Sequence, residues 1–260
     1  MSAHGKDAEP VTGRAFVLTG ATGHLGEYVA RHLVARGDHV MLVGRDEGRL
    51  RALHDRLDGA AATAFCTADV LEPAEADTAA ARARERFGRL DGLVHLVGAF
   101  HVGTPASLVA PNVYLDLYRS NVLSAVASTA AVLPHLDAGG YLVYLSSLLA
   151  EQPMAAAAPY AAAKSALHAW VRALSREVKE RGVHANVIVT SRIDTPARRA
   201  QFPGADYSTW VRGDDLAALV AALTSPAAAA IHGAIVPAVG TFALEPPAGA
   251  VRRELAGGPR

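Results

Sequence analysis

The chain has 260 residues, a length that suits one large α/β domain able to bury a sizeable core. Its 25 Lys plus Arg balance 25 Asp plus Glu, so no excess charge points to nucleic acid or to an acidic membrane surface as a partner. The single Cys66 excludes an intramolecular disulfide and fits a reducing, cytoplasmic setting, and no apolar run reaches the length of a membrane span.

Residues 1–13 are polar and mixed in charge, which reads as a disordered lead-in and not as a signal peptide. The domain proper is read over 14–244. Arg14 to Thr19 is a short apolar run before a glycine cluster and is expected as the first strand. Leu25 to Arg36 has helical periodicity, with Leu25, Val29, Leu33 and Val34 inward, and Gly37-Asp38 ends it. His39 to Val43 is the second strand, Asp46 to Leu57 a charged amphipathic helix capped by Asp46, and Ala61 to Cys66 the third strand. Pro73 to Phe87 reads as a helix with Pro73 in its first turn, and Leu93 to Val97 as a strand apolar apart from His95. One long helix is expected over Pro111 to Leu136, then a strand over Tyr141 to Ser146, a helix over Pro159 to Arg181 and a strand over Val183 to Val189. A short helix over Asp214 to Leu223 and a last strand over Ala234 to Ala238 complete the pattern. Strands alternating with helices mean βαβ units, a parallel sheet and helices on both faces. The Pro/Gly/charge-rich tail 245–260 is expected to be mobile or packed on a partner subunit.

Three stretches carry chemistry. Gly20, Gly23 and Gly26 lie between the first strand and its helix, where glycines allow a tight turn and a close approach of backbone to a pyrophosphate. The second strand ends Met41-Leu-Val-Gly-Arg45, with no acid to bind a ribose 2′-hydroxyl and an Arg able to accept a 2′-phosphate. That favours NADP(H), leaves NAD(H) as the other nucleotide, and is tempered by Asp46 beside Arg45. Tyr160 and Lys164 stand four apart on a helix and so share one face. A tyrosine of pKa about 10 is a poor proton donor at neutral pH, and an ammonium one turn away favours its phenolate. Ser147 precedes Tyr160 by thirteen residues, at the end of a strand that carries Ser146 as a competing hydroxyl.

Thr19-Gly-Ala-Thr-Gly-His-Leu-Gly26, the strand closing on Ser146-Ser147 and Tyr160-Ala-Ala-Ala-Lys164 together resemble the short-chain dehydrogenase/reductase family, roughly from Arg14 to Gly240. The resemblance implies a three-layer Rossmann-type doubly wound parallel sheet in a single α/β domain. It implies a catalytic set in which Ser147 polarises a carbonyl, Tyr160 gives the proton, Lys164 lowers the Tyr160 pKa and holds ribose hydroxyls, and Asn121 props a helix bulge and positions Lys164. Nucleotide contacts are implied at Gly20, Thr22, Gly23, His24, Leu25, Gly26, Arg45, Asp69, Val70, Gly98, Tyr160, Lys164, Ile193 and Thr195, with Asp69 as a mere helix cap the alternative. A substrate lid is implied over 191–212; Arg192, Phe202 and Trp210 there, with Phe100, Leu148 and Met154 opposite, suit an apolar or aromatic ketone or alcohol. No metal is called for. The long helices imply a homodimer or homotetramer.

The sequence also departs from the family pattern. Its glycines read Thr-Gly-x-x-Gly-x-x-Gly, as in the extended branch, and not Thr-Gly-x-x-x-Gly-x-Gly, which would need glycine at His24. His95-Leu96-Val97-Gly98 replaces Asn-Asn-Ala-Gly, with His95 read as structural, and Thr190-Ser191 replaces Pro-Gly. A carbonyl reductase or alcohol dehydrogenase is the first reading. An enzyme of this fold doing non-redox chemistry (dehydratase, isomerase or cyclase) and a non-catalytic nucleotide sensor stay beside it.

Overall fold

In the computed structural model, which describes residues 13–57, 61–136 and 139–240, apolar runs and amphipathic segments alternate as strands and helices. In chain order these are β1 (Ala15–Thr19), α1 (Gly26–Ala35), β2 (His39–Gly44), α2 (Glu47–Arg56), β3 (Thr63–Thr67), α3 (Pro73–Phe87), β4 (Gly92–His95), α4 (Pro111–Tyr118), α5 (Ser124–Val132), β5 (Tyr141–Ser147), α6 (Ala158–Val178) and β6 (His184–Thr190). Then follow β7 (Ile193–Asp194), α7 (Pro196–Gln201), β8 (Val211–Arg212), α8 (Gly213–Leu223) and β9 (Ile235–Ala238). The lead-in expected over 1–13 falls, but for Gly13, outside the described residues, as does the tail expected over 245–260. No helix among the described residues is long and apolar enough to cross a membrane.

Seven strands form one parallel sheet in the order β3-β2-β1-β4-β5-β6-β9. Because successive side chains in a strand point to opposite faces, β1 sends Ala15 and Val17 to one side and Phe16 and Leu18 to the other. The first face is covered by apolar residues of α3, α5 and α6, the second by those of α1, α2 and α8. The sheet is therefore doubly wound, as the alternating pattern required. After β3 the chain returns to the far side of β1 to lay down β4, so the strand order reverses between β1 and β4. In such sheets a crevice opens beyond the carboxyl ends of the strands at that reversal.

Two expectations need correction. The single helix read over Pro111 to Leu136 is broken: a π turn, Arg119–Leu123, separates α4 from α5, and a 3-10 turn, Leu133–His135, closes the run where Pro134 has no N–H to donate. The first break goes with a tertiary contact. Asn121 is fully buried and donates its Nδ2 to Leu117 O (2.9 Å) and to Ala99 O (3.0 Å), tying the widened turn to the loop after β4. The strand read over Leu93 to Val97 stops at His95. The lid implied over 191–212 carries its own short helix α7 and the β7–β8 pair.

Candidate active site

At the nucleotide end, Gly20 has φ +70°, and a Cβ there would stand 3.1 Å from Leu96 C and Val97 N. Only glycine lets this turn pass so close to the chain leaving β4. Gly23 N donates to Gly20 O at 2.9 Å, and a Cβ at Gly26 would collide with Ala21 O at 2.0 Å. No side chain caps α1, which begins after Leu25, so the first N–H groups of that helix face the crevice with the positive end of its dipole. A glycine cradle and an uncapped helix start together fit the pyrophosphate of a dinucleotide.

Arg45 stands at the end of β2 with its side chain 80% exposed and its Nη1 4.0 Å from Asp69 Oδ2. Arg49, not singled out by the sequence reading, donates its Nη2 to Thr22 O across the same edge; its only signal was a place three residues after the Asp46 cap. Asp69 Oδ1 accepts from Leu71 N at 3.0 Å, so its carboxylate also closes its own turn, and the Val70 side chain lies in the core.

A cavity of about 580 Å³ runs from the glycine turn to the lid. Gly20, Gly23, His24, Leu25 and Gly98 line its nucleotide end, and Asn121, Ser147, Tyr160 and Lys164 its middle. Phe100, Leu148 and Met154 form one wall, Arg192, Ile193, Arg198 and Phe202 the other. Trp210 does not reach the cavity: it is buried behind the lid, edge-on to Phe202 (6.1 Å) and Tyr207 (5.0 Å). Thr195, also buried, accepts from Arg198 N through its Oγ1 at 3.3 Å and so caps α7.

The helix α6 places Tyr160 and Lys164 one turn apart, both facing inward. Lys164 Nζ donates to Leu145 O at 3.0 Å, and burial lowers its pKa to about 8. Burial raises the Tyr160 pKa above the ordinary tyrosine value; the Ser147 hydroxyl and then the Arg198 charge act in the opposite sense. The expected lowering by Lys164 is not among these influences: the ammonium is turned to a carbonyl and sits 6.0 Å from the Tyr160 ring centroid. The Oδ1 of Asn121 is buried without a hydrogen-bond partner among the described residues. A Cβ at Gly98 would lie 2.5 Å from that Oδ1 and 3.2 Å from Lys164 Nζ, so the bare glycine is what lets amide and ammonium share one small space.

The two serines are sorted by strand alternation. Ser147 Oγ lowers the Tyr160 pKa and accepts from Leu149 N at 3.3 Å, whereas Ser146 Oγ pairs at 2.7 Å with Nε2 of His168. Burial holds His168 neutral down to about pH 4. His95 is buried beneath the site with a pKa lowered to about 3, again chiefly by burial. Its tautomer follows from its partners. Ser124 gives its one hydroxyl proton to Ser120 O (2.6 Å), so His95 Nε2 must donate to Ser124 Oγ (3.1 Å), and Nδ1 accepts from Thr19 Oγ1 (2.8 Å).

A family model described as short chain dehydrogenase matches residues 14–206. The chain is 30% identical to the L-fucose dehydrogenase of Bos taurus over 185 residues, 71% of this chain and 67% of that protein. It is 34% identical to a hydroxysteroid 11-beta-dehydrogenase 1-like protein of Macaca fascicularis over 188 residues, 71% of this chain and 64% of that one, so the matched stretch spans under two thirds of that relative. Among solved structures, a blue fluorescent protein from a metagenomic library, in complex with NADPH, superposes with a TM-score of 0.80 at 28% identity, covering 91% of this chain and all of that one.

Proposed function

The chain belongs to the short-chain dehydrogenase/reductase family, and from that premise we propose that it moves a hydride between NADP(H), in preference to NAD(H), and the carbonyl or alcohol carbon of an apolar or aromatic small molecule. The observation that carries this reading is the convergence of Ser147, Tyr160, Lys164 and Asn121 on one cavity that also opens onto the glycine turn. The nucleotide would supply the hydride. Everything else falls to the chain. Ser147 donates its hydroxyl proton to the substrate oxygen, and Tyr160 gives or takes the proton there. Lys164, already near the middle of its titration at about pH 8, is poised to shift charge toward Tyr160 once a polar ligand displaces Leu145 O from its Nζ. Asn121 fixes the widened turn and presents an acceptor toward Lys164. Phe100, packed edge-on against Tyr160 at 4.9 Å, shields the phenol from water.

The NADP(H) preference is supported by exposed Arg45 and by Gly44 standing where an acid would repel a phosphate. A pair of dissociation constants, for NADPH and NADH at moderate salt, tests it; tighter NADH binding would assign Arg45 to Asp69 and to water. Absorbance of NADPH across a panel of aryl ketones tests the hydride step itself. A homo-oligomer is part of the reading. The outer faces of α4 and the π turn expose Leu115 (64%) and Leu123 (41%), and Ala162, Ala169 and Ala173 are exposed along α6. Light scattering at micromolar concentration should return a dimer or tetramer mass.

A further inference from the structure

The cavity has a lopsided charge. Lys164, Arg192 and Arg198 line it, and no Asp or Glu among the described residues does. Lys164 has a place in the proton relay. Arg198 and its neighbour Arg199 are adjacent in sequence and treated in opposite ways. Arg199 is held by both carboxylate oxygens of Asp194, at 2.6 and 2.7 Å, and points away to the surface. Arg198 has no carboxylate partner among the described residues: its Nη1 donates to the neutral Gln201 Oε1 at 2.9 Å, and its guanidinium lies 5.3 Å from the centroid of the Phe202 ring. A guanidinium resting on an aromatic face keeps its planar fork presented, the geometry that receives two oxygens of one anion.

Resting on the hydride-transfer reading of this cavity, we propose that the substrate carries an oxyanion, carboxylate or phosphate, and that Arg198 receives it at the lid while the reacting carbon lies against Tyr160 and Ser147. The apolar body of such a molecule has Phe100 and Met154 on one side and Phe202 on the other. The position of Arg198 is marked electrically as well. Its charge reaches both Tyr160, where it favours the phenolate, and His24 on the glycine turn, where it opposes protonation. Arg198 therefore shares the cavity with both the proton donor and the glycine turn and acts on each. The nucleotide's own phosphates are the rival anion, and the uncapped start of α1 is the better placed receptor for those.

The test uses aryl ketones with one to four carbons between the carbonyl and a terminal carboxylate, each beside its methyl ester and its phosphonate counterpart, with the full chain at saturating NADPH. The anionic members should exceed the ester in kcat/KM by about tenfold or more, the size expected of one charge-assisted pair, and the gain should lie in KM. Whether carboxylate or phosphonate leads identifies the source of the oxyanion. Arg198→Gln should collapse the anion-to-ester ratio toward one without moving the Kd for NADPH, and Arg198→Lys should retain part of it. Esters as good as acids in the wild type would overturn the proposal. So would a rise in the NADPH Kd of Arg198→Gln as large as the rise in KM, which would hand Arg198 to the nucleotide. If no ketone is reduced at all, the hydride reading falls instead. Calorimetric titration of aryl alkanoic acids against their esters into the NADPH complex then decides the anion claim without turnover.

Discussion

The chemical corner and the lid share one cavity and are built on opposite plans. At the corner, Asn121, Lys164 and Tyr160 are exposed by no more than 9%, and each polar group but the Asn121 oxygen is engaged by a neighbouring backbone or hydroxyl. Around the rest of the cavity, Phe202 on the lid is 47% exposed, and Phe100 and Met154 on the opposite wall are more exposed still. The corner is set before any ligand arrives, which is what proton transfer at hydrogen-bond distance demands. The lid leaves apolar surface and a cation unfinished, so a ligand completes it. One molecule thus sets a buried, finished corner beside a wall whose groups still face water.

Tyr160→Phe breaks the fixed side most severely. It keeps the ring and its contact with Phe100 and removes only the ionisable oxygen. Turnover should fall by about 10²–10⁴-fold, the usual worth of a general acid–base group, with the NADPH Kd unchanged. Steady-state rates and a fluorescence titration check both halves, and wild-type turnover would remove Tyr160 from the chemistry. Next comes Gly98→Ala, whose added carbon must push Asn121 Oδ1 from 2.5 Å. Overpacking of this kind costs about 1–3 kcal/mol, and kcat should fall at least about tenfold because Lys164 is displaced with it. Denaturant unfolding and kcat on the same sample measure the two.

The rigid side also has a pH signature. His95 and His168 are held neutral, with folded-state values of about 3 and about 4 against 6.5 when free. The unfolded chain thus binds more protons below pH 6.5, so stability is full above that value and is lost as pH falls toward 3 or 4. Each histidine adds a slope of up to about 1.4 kcal/mol per pH unit in that window. Urea midpoints from pH 7 to 4 should fall steadily, and His168→Gln should flatten the lower part of the curve. The smallest effect belongs to the lid. Phe202→Ala should raise KM a few-fold and leave the unfolding midpoint within about 0.5 kcal/mol of wild type, since half-exposed side chains contribute little to the core. A large loss of stability there would show that the lid is as fixed as the corner and would erase the contrast.

The sequence made the layers legible because β1, β5 and β6 are apolar on both faces, as strands buried in a parallel sheet must be, and because glycines and prolines marked their ends. The helix break at Asn121 was not legible from periodicity: Leu117, Asn121, Val122 and Ala125 still read as one inward stripe. What opens the turn is a tertiary bond from Asn121 to Ala99, which no local pattern records. The tilt of Lys164 toward Leu145 was hidden for the same reason, and with it the dominance of burial over the Tyr160 pKa. Spacing alone favoured Ser147 over Ser146. The strand pairing supplies the physical reason, since His168 on α6 claims the neighbour on the opposite face. The two-residue strands β7 and β8 were too short to leave any periodic trace.

The π turn also bears on which changes of length the gene tolerates. Each residue of a helix turns the chain by about 100°, and the turn Arg119–Leu123 holds one more residue than an α-helical turn would. Because the widened turn takes up that extra residue, α5 keeps the register of a regular helix one residue shorter, so deleting the residue would leave the face of α5 in place and remove the bulge that Asn121 ties to Ala99 O. The face of α5 that meets the sheet, where Thr129 and Tyr144 touch hydroxyl to hydroxyl at 2.6 Å, would still meet it. Between α7 and β8 the chain runs over the surface as far as the buried Trp210. The extra residue of the π turn therefore serves the site and not the packing of α5: its loss should leave the sheet-facing side of the helix in place and move the Asn121 amide away from Gly98 and Lys164.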